Sequence, residues 1–263
     1  MKQNSLFLDR ATIVSPHVNG WDEFLASLNC QDVISFEEDW RAQLESLPMR
    51  SRRRLSPQIL LAISVAEKIH ETLPKETAWV FASSVGEGET LNVILDALGT
   101  PEKAIQPLRF QNSVHNAASG QWTIAAGVKC PVTSINAHNY TVGAGFLKAS
   151  MQIKSENCPV GLVLYDAPLP YPLSASHKIN IPLGVGFALK PEPSANTIAE
   201  LKISYCKTPN PMPFASLPQI PENSYNPILA VFPLLKCLAG SPQEDIFLGL
   251  NKDYGLCIKV KQL

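Results

Sequence analysis

The chain has 263 residues, 45% hydrophobic and 17% charged, enough for one large globular domain or one domain with a smaller appendage. Its 22 Lys and Arg are balanced by 23 Asp and Glu, a formal net charge of -1, which excludes the basic excess of a nucleic-acid-binding surface. No apolar run reaches the length of a membrane span, and the apolar stretch of the opening MKQNSLFLDR is too short for a signal peptide, so a cytoplasmic protein is expected.

In chain order, SLFLDRATIVS reads as a first strand or hairpin. WDEFLASL and FEEDWRAQLESL read as short amphipathic helices. SPQILLAISVAEKIHETL is the clearest helix, with Ser56 as its cap, Pro57 in its first turn, and Leu60, Ile63, Val65 and Ile69 on its apolar face. TAWVFASS, apolar and too short for a helix, predicts a buried strand. GETLNVILDALGT and SGQWTIAAG are helices closed by Gly99 and Gly127. VTSINAHNYTVGAGFLKAS starts as a short buried strand and turns into a helix, while PVGLVLYDA and LGVGFALK are two further strands that form an antiparallel pair. Strands that are apolar on both faces and alternate with helices predict an α/β fold with a parallel or mixed sheet covered by helices.

Composition changes after residue 150: 15 of the 22 prolines lie beyond it. Proline cannot continue a central strand or a helix interior, so this part is expected to be loop-rich. It holds roughly one strand (ELKISYC), one helix (PILAVFPLLKCLAG) and a terminal hairpin (DIFLGL to LCIKVKQL). The six cysteines contain no C-x-x-C, so no metal site, redox pair or cofactor is expected, and they read as reduced, mostly buried core residues.

The strand-to-helix junction carries Asn136, His138, Asn139 and Tyr140. Such an elbow exposes one side chain to a cleft, which is where several enzyme folds place a nucleophile. Asn139 is read at its apex, and an amide is not a nucleophile. FQNSVHNAASG places Ser113 and His115 at alternate positions, facing the same way if extended, with Asn116 as the cap of the next helix. A Ser–His pair two residues apart seldom reaches catalytic geometry, because the base must approach the hydroxyl from another element. SSVGEGET lacks the Lys-Ser/Thr of a phosphate loop and reads as a turn. Arg50, Arg52, Arg53 and Arg54 form a cationic cluster that suits an acidic partner or is simply solvated.

The segment RFQNSVHNAASGQWTIAAGVKCPVTSINAHNYTVGAGFLKA resembles the core of the β-ketoacyl-acyl carrier protein synthases, through Phe110, Ser113, Asn116, Gly120, Gly127 and Pro131, with Cys130 where a glycine is usual. The blocks from Phe81 to Glu87, Ser113 to Gly120 and Tyr165 to Pro170 resemble, more closely still, the truncated synthase-like proteins that include the chain-length-factor subunits of aryl polyene biosynthesis. The resemblance implies a thiolase-like layered fold, with a synthase N-terminal-like domain over 1–190 and a shortened, loop-rich C-terminal remnant over 191–263 packed on the same core. Counted from Pro131, the nucleophilic cysteine of those enzymes falls on Asn139. They also use two histidines from their second half, whereas His177 is the only histidine here after residue 138.

What the resemblance implies is a non-catalytic subunit that forms a heterodimer or higher hetero-oligomer with an active synthase, meets acyl carrier protein transiently, and shapes the synthase's acyl tunnel. Ser113, Val114, His115, Asn116, His138, Asn139 and Tyr140 would form its tunnel and dimer surface. Arg50, Arg52, Arg53 and Arg54 would receive the carrier protein. Two alternatives stay open: an acyltransferase or thioesterase using Ser113 or His138, and a purely structural partner.

Overall fold

The computed structural model describes residues 4–28, 40–207, 225–241 and 245–263. Their elements are β1 (Asn4–Ser15), β2 (Val18–Asn19), α1 (Trp21–Ser27), α2 (Met49–Arg52), α3 (Pro57–His70), β3 (Ala78–Ala82), α4 (Gly88–Leu98), α5 (Pro107–Asn112) and α6 (Ala117–Ala126). Then follow β4 (Val132–Ile135), α7 (Thr141–Glu156), β5 (Val160–Asp166), β6 (Leu183–Lys190), β7 (Ala199–Lys207), α8 (Phe232–Leu238), β8 (Ile246–Gly249) and β9 (Tyr254–Gln262). Short 3-10 turns span His138–Tyr140, Leu173–Ala175 and Pro227–Val231.

One mixed sheet runs through all of it, in the order β4-β3-β5-β6-β1-β7-β9-β8, with β2 paired to β1. β3 is parallel to both β4 and β5, and every other pairing is antiparallel. The predicted β5–β6 pair and the terminal β8–β9 hairpin are both present. Residue 190 closes β6, and β7, β9 and β8 extend the same sheet beyond β1.

Helices cover both faces, which is why β3 and β5 are buried along their whole length. On one face α7, α8, α1 and the 227–231 turn pack Phe24, Phe146, Phe187 and Phe232 into one core. On the other, α3 and α6 bring Trp79, Trp122, Phe81 and Tyr165 into a second. α3 starts as its sequence predicts: the Ser56 hydroxyl accepts from the Ile59 N–H at 3.2 Å, and Pro57 opens the first turn.

The helix expected over 36–47 is not formed in its described part, 40–47; residues 36–39 lie outside the described residues. Burial there alternates, Ala42 and Leu44 in, Arg41 and Gln43 out, the period of an extended chain. The Glu67 carboxylate on α3 accepts from the N–H groups of Glu45 (3.1 Å) and Ser46 (2.8 Å), pinning the segment along that helix.

β4 is likewise not a buried strand: it is the sheet edge, and all four residues are half-buried. Nor are the cysteines mostly buried. Among the described five, all free thiols, only Cys237 is in the core, because Cys130 and Cys158 precede strands and Cys206 and Cys257 lie on the outer side of β7 and β9. Cys30 lies outside the described residues.

Candidate functional site at the β4–α7 elbow

β4 ends at Ile135, and side chains fold the turn that follows. Asn136 Nδ2 donates to the Ser84 carbonyl at 2.5 Å, and Asn136 Oδ1 accepts from the His138 N–H at 3.0 Å. Thr141 Oγ1 accepts from the Ala137 N–H (3.1 Å) and donates to the His138 carbonyl (2.7 Å). The chain reverses at His138, whose φ of 51° lies in the left-handed region that a histidine tolerates better than most residues. The apex is therefore His138, which opens the 3-10 turn His138–Tyr140, with Asn139 inside that turn. This corrects the placement of Asn139 at the apex by one residue.

The elbow opens onto a cavity of about 600 Å3 lined by Ser84, His138, Asn139, His177, Asn180 and Tyr225, among others. His177 lies on the long β5–β6 connection, yet its ring centroid stands 5.5 Å from that of His138. Its Nδ1 shares a hydrogen bond with Ser176 Oγ at 3.0 Å. Asn139 Oδ1 accepts from the Tyr225 hydroxyl at 2.6 Å. Tyr225 is in turn held to Asn180 by two bonds, its N–H to Asn180 Oδ1 (2.7 Å) and the Asn180 N–H to its carbonyl (3.1 Å). Burial raises the Tyr225 phenol above its ordinary pKa, so it acts as a hydrogen-bond donor at neutral pH. Tyr140, half-buried, carries the chain into α7.

Beneath the elbow lies a polar floor that sequence reasoning missed. Asp166, fully buried at the end of β5, accepts from Ser83 Oγ (2.7 Å), Ser84 Oγ (2.5 Å), the Ser84 N–H (3.0 and 3.1 Å) and Gln58 Nε2 (3.3 Å). Burial nevertheless outweighs these donors and pushes its pKa up to about 6. Glu87, also buried, is raised by the same cause and is held by Ser56 Oγ (2.5 Å) and Thr90 Oγ1 (2.9 Å). The two carboxylates brace the β3–α4 loop from below. The available signal was a charged residue ending an otherwise apolar strand, YD in VGLVLYD.

The Ser113–Asn116 stretch is a turn between α5 and α6, not a strand, so Ser113 and His115 do not face the same way. Ser113 Oγ donates to the Phe110 carbonyl at 2.8 Å, while His115 Nε2 donates to the Ser83 carbonyl at 3.3 Å. His115 packs beside Gly86, where φ is +64° and a methyl would come within 2.9 Å of the ring. Asn116 takes the N-cap position of α6 without a side-chain capping bond. Val114 is 49% exposed. Phe110 (65%), Ile124 (73%) and Leu91, Leu95 and Leu98 of α4 also present apolar side chains to solvent. α6 is tied to the β4 edge through Ser119 Oγ and Ser134 Oγ at 2.8 Å.

The cationic cluster is rearranged as well. Arg52, Arg53 and Arg54 line a separate cleft with Arg41 and Arg109, and Arg50 is not part of its lining. Among the described residues no group of three or more His, Cys, Asp or Glu side chains is placed to hold a metal ion, and no helix is long and apolar enough to cross a membrane.

Residues 28–218 match the sequence family described as beta-ketoacyl synthase, N-terminal domain. A search of curated protein sequences returned no match. Among solved structures, the fold is similar to a chain of the complex of the ketosynthase ApeO with its chain length factor ApeC from Xenorhabdus doucetiae. That match has TM-score 0.73 and 20% identity, over 97% of this chain and 99% of that one. It is also similar to the ishigamide ketosynthase/chain length factor (TM-score 0.72, 11% identity, 99% and 100% of the two chains). A third similar structure is AntDE:AntF, a type II polyketide synthase acyl-carrier protein in complex with its ketosynthase (TM-score 0.74, 10% identity, 100% of both chains). The architecture is thus the thiolase-like ketosynthase fold.

Proposed function

From the premise that this chain belongs to the β-ketoacyl synthase family, we propose that it is a chain length factor: a non-catalytic subunit that pairs with an active β-ketoacyl-acyl carrier protein synthase and shapes its acyl tunnel. The observation that carries the reading is the elbow itself. The fold forms a sharp strand-to-helix turn facing a cavity, and the sequence through it is Ala137-His138-Asn139, with neither Cys nor Ser. Without a thiolate or activated hydroxyl, the acyl-enzyme step of a condensing enzyme has no nucleophile. His138 stands at the apex itself, and its neighbour Asn139 accepts from the Tyr225 hydroxyl, so neither offers a thiol or hydroxyl.

The partner reading is supported by surface chemistry. Val114, Phe110, Ile124 and the leucines of α4 are exposed apolar side chains on the segment between β3 and β4, where α6 contacts the β4 edge and α4 contacts α5, and exposed apolar side chains suit a protein contact. The three similar structures come from assemblies whose names include a ketosynthase, two with a chain length factor and one with an acyl-carrier protein. An aryl polyene or related polyketide product, transient contact of acyl carrier protein with the Arg50–Arg54 region, and a soluble cytoplasmic setting complete the reading.

The test is reconstitution of the chain with a synthase, acyl carrier protein and a malonyl donor. Val114→Phe extends a stiff wall and shortens the product, and Val114→Ala lengthens it. Val132→Ala, packed against the second core, lowers stability without shifting product length. Equal product distributions from both Val114 variants in intact complexes would leave only a scaffold.

One observation favours a second reading: the 5.5 Å approach of His138 and His177 inside the cavity. A neutral imidazole there could take a proton from water attacking a thioester carbonyl, with the thiolate leaving and being reprotonated by the same imidazole. Thioester cleavage by this chain without a synthase, lost in His138→Gln, would select that reading. Its absence together with partner-dependent product control selects the chain length factor.

A further inference from the structure

Five arginines that are scattered along the sequence meet at one hollow. Arg52 ends α2, Arg53 and Arg54 follow it, Arg41 comes from the extended segment over α3, and Arg109 comes from α5. The cleft they line measures about 470 Å3 and includes Gln106 and Asn112, which add amide donors. Glu89 is the one carboxylate among its described lining residues. None of the five arginines makes an ion pair among the described residues, whose salt bridges all lie elsewhere. The chain as a whole carries a net charge of only -1, so this is a local concentration of charge rather than a basic protein.

Guanidinium groups do not deprotonate, so their mutual repulsion in a concave site cannot be relieved by titration. It is relieved by an anion. Glu89 supplies one negative charge against five guanidinium groups, and Ser56 and Thr90, which also line the cleft, already donate to the buried Glu87. Two features set the class of anion. The guanidinium fork matches phosphoryl oxygens two at a time. The arginines also line the hollow from three separate segments, which suits a small group; of the five, Arg52 commits its Nε to the Leu47 carbonyl at 2.6 Å.

We infer that this cleft binds a multiply charged phosphoryl group, of the diphosphate or phosphate-monoester class, carried by a small molecule. A phosphodiester has a single negative charge and would leave most of the arginines unneutralised. The inference goes beyond the chain-length reading and does not rest on it.

Inorganic pyrophosphate is the probe, titrated calorimetrically into the full-length chain, or into its complex with a synthase, at constant ionic strength. Saturable binding at one site is expected, weakened at least tenfold by Arg109→Gln and by Arg53→Gln, each shown to keep the parent's urea midpoint. Arg50→Gln, outside the cleft, leaves the affinity unchanged. Three results would overturn the inference: no saturable binding up to millimolar pyrophosphate, equal weakening by Arg50→Gln, or displacement by sulfate as readily as by pyrophosphate. Loss of product control in Val114 variants with pyrophosphate binding intact would separate this site from the tunnel function.

Discussion

At one edge of the sheet, β8 has three of its four residues buried, and α7 lies so close to it that a methyl group on Gly143 would come within 2.1 Å of the Gly249 carbonyl oxygen. At the opposite edge all four β4 residues are half-exposed, and the neighbouring α4, α5 and α6 present Leu91, Leu95, Phe110 and Ile124 to solvent. The two edges differ in pairing, β4 parallel to β3 and β8 antiparallel to β9, and they differ in cover. The far edge is sealed by the chain's own helices, with α8 and the 227–231 turn filling the core beside it. The near edge is half-exposed among the described residues. An open edge of this kind is what the proposed pairing with a synthase would cover.

The sealed edge is the easier one to break. Gly143→Ala sets a methyl against backbone, which cannot swing away, and is expected to lower stability by about 3 kcal/mol, read as a fall in urea midpoint at unchanged slope. Next in size is a pH effect centred between the edges, at Asp166. Its native pKa is raised to about 6 from an ordinary 3.8, so the folded state holds the proton more tightly than the unfolded chain. This contribution is fully present below pH 4 and is lost as pH rises through 6, costing up to about 3 kcal/mol by pH 7. Stability measured from pH 4 to 7 should therefore carry a downward slope that Asp166→Asn flattens. At the open edge the effect falls on association rather than folding. Ile124→Asp should move the chain's own stability by no more than about 0.5 kcal/mol and weaken synthase binding about 100-fold, or about 2.7 kcal/mol. The matching change at the sealed end, Tyr205→Asp, should leave the affinity as it was. Both are measured by co-purification and biolayer interferometry, and equal losses at the two ends would erase the distinction.

Much of the frame is legible in the sequence because its signals are local. Ser56-Pro57 starts α3, Gly127 in a left-handed conformation ends α6, and the apolar runs of β3, β5 and β6 are short and bounded. The β5–β6 antiparallel pairing also follows from the absence of a helix between them. The errors have local causes as well. Residues 40–47 have a helix-like composition, but their backbone is captured by Glu67, an α3 side chain about twenty residues away. The elbow apex was displaced by one position, because counting from Pro131 fixes the turn but not which residue takes the positive φ. The candidate site was the least legible part. His177 reaches His138 only because the β5–β6 connection folds back and is tied, through Asn180, to Tyr225. Likewise, no spacing rule brings Arg41 and Arg109 to Arg53. These are consequences of loop paths, and loop paths carry no periodicity.

The composition of β4 carries one more consequence. Val132, Thr133, Ser134 and Ile135 include no charge, and three of the four are β-branched, the residues that best accept a neighbouring strand. In its parallel pairing with β3, with Trp79 donating to Pro131 and Ser83 to Ile135, the amides of Val132 and Ser134 point outward, away from β3. Such an edge carries no charge to discriminate among extended chains, another copy of itself included. Under the proposed pairing with a synthase, the order of events during synthesis matters as much as affinity. A partner made close by, at the same time and in matching amount, meets the edge before a second copy can.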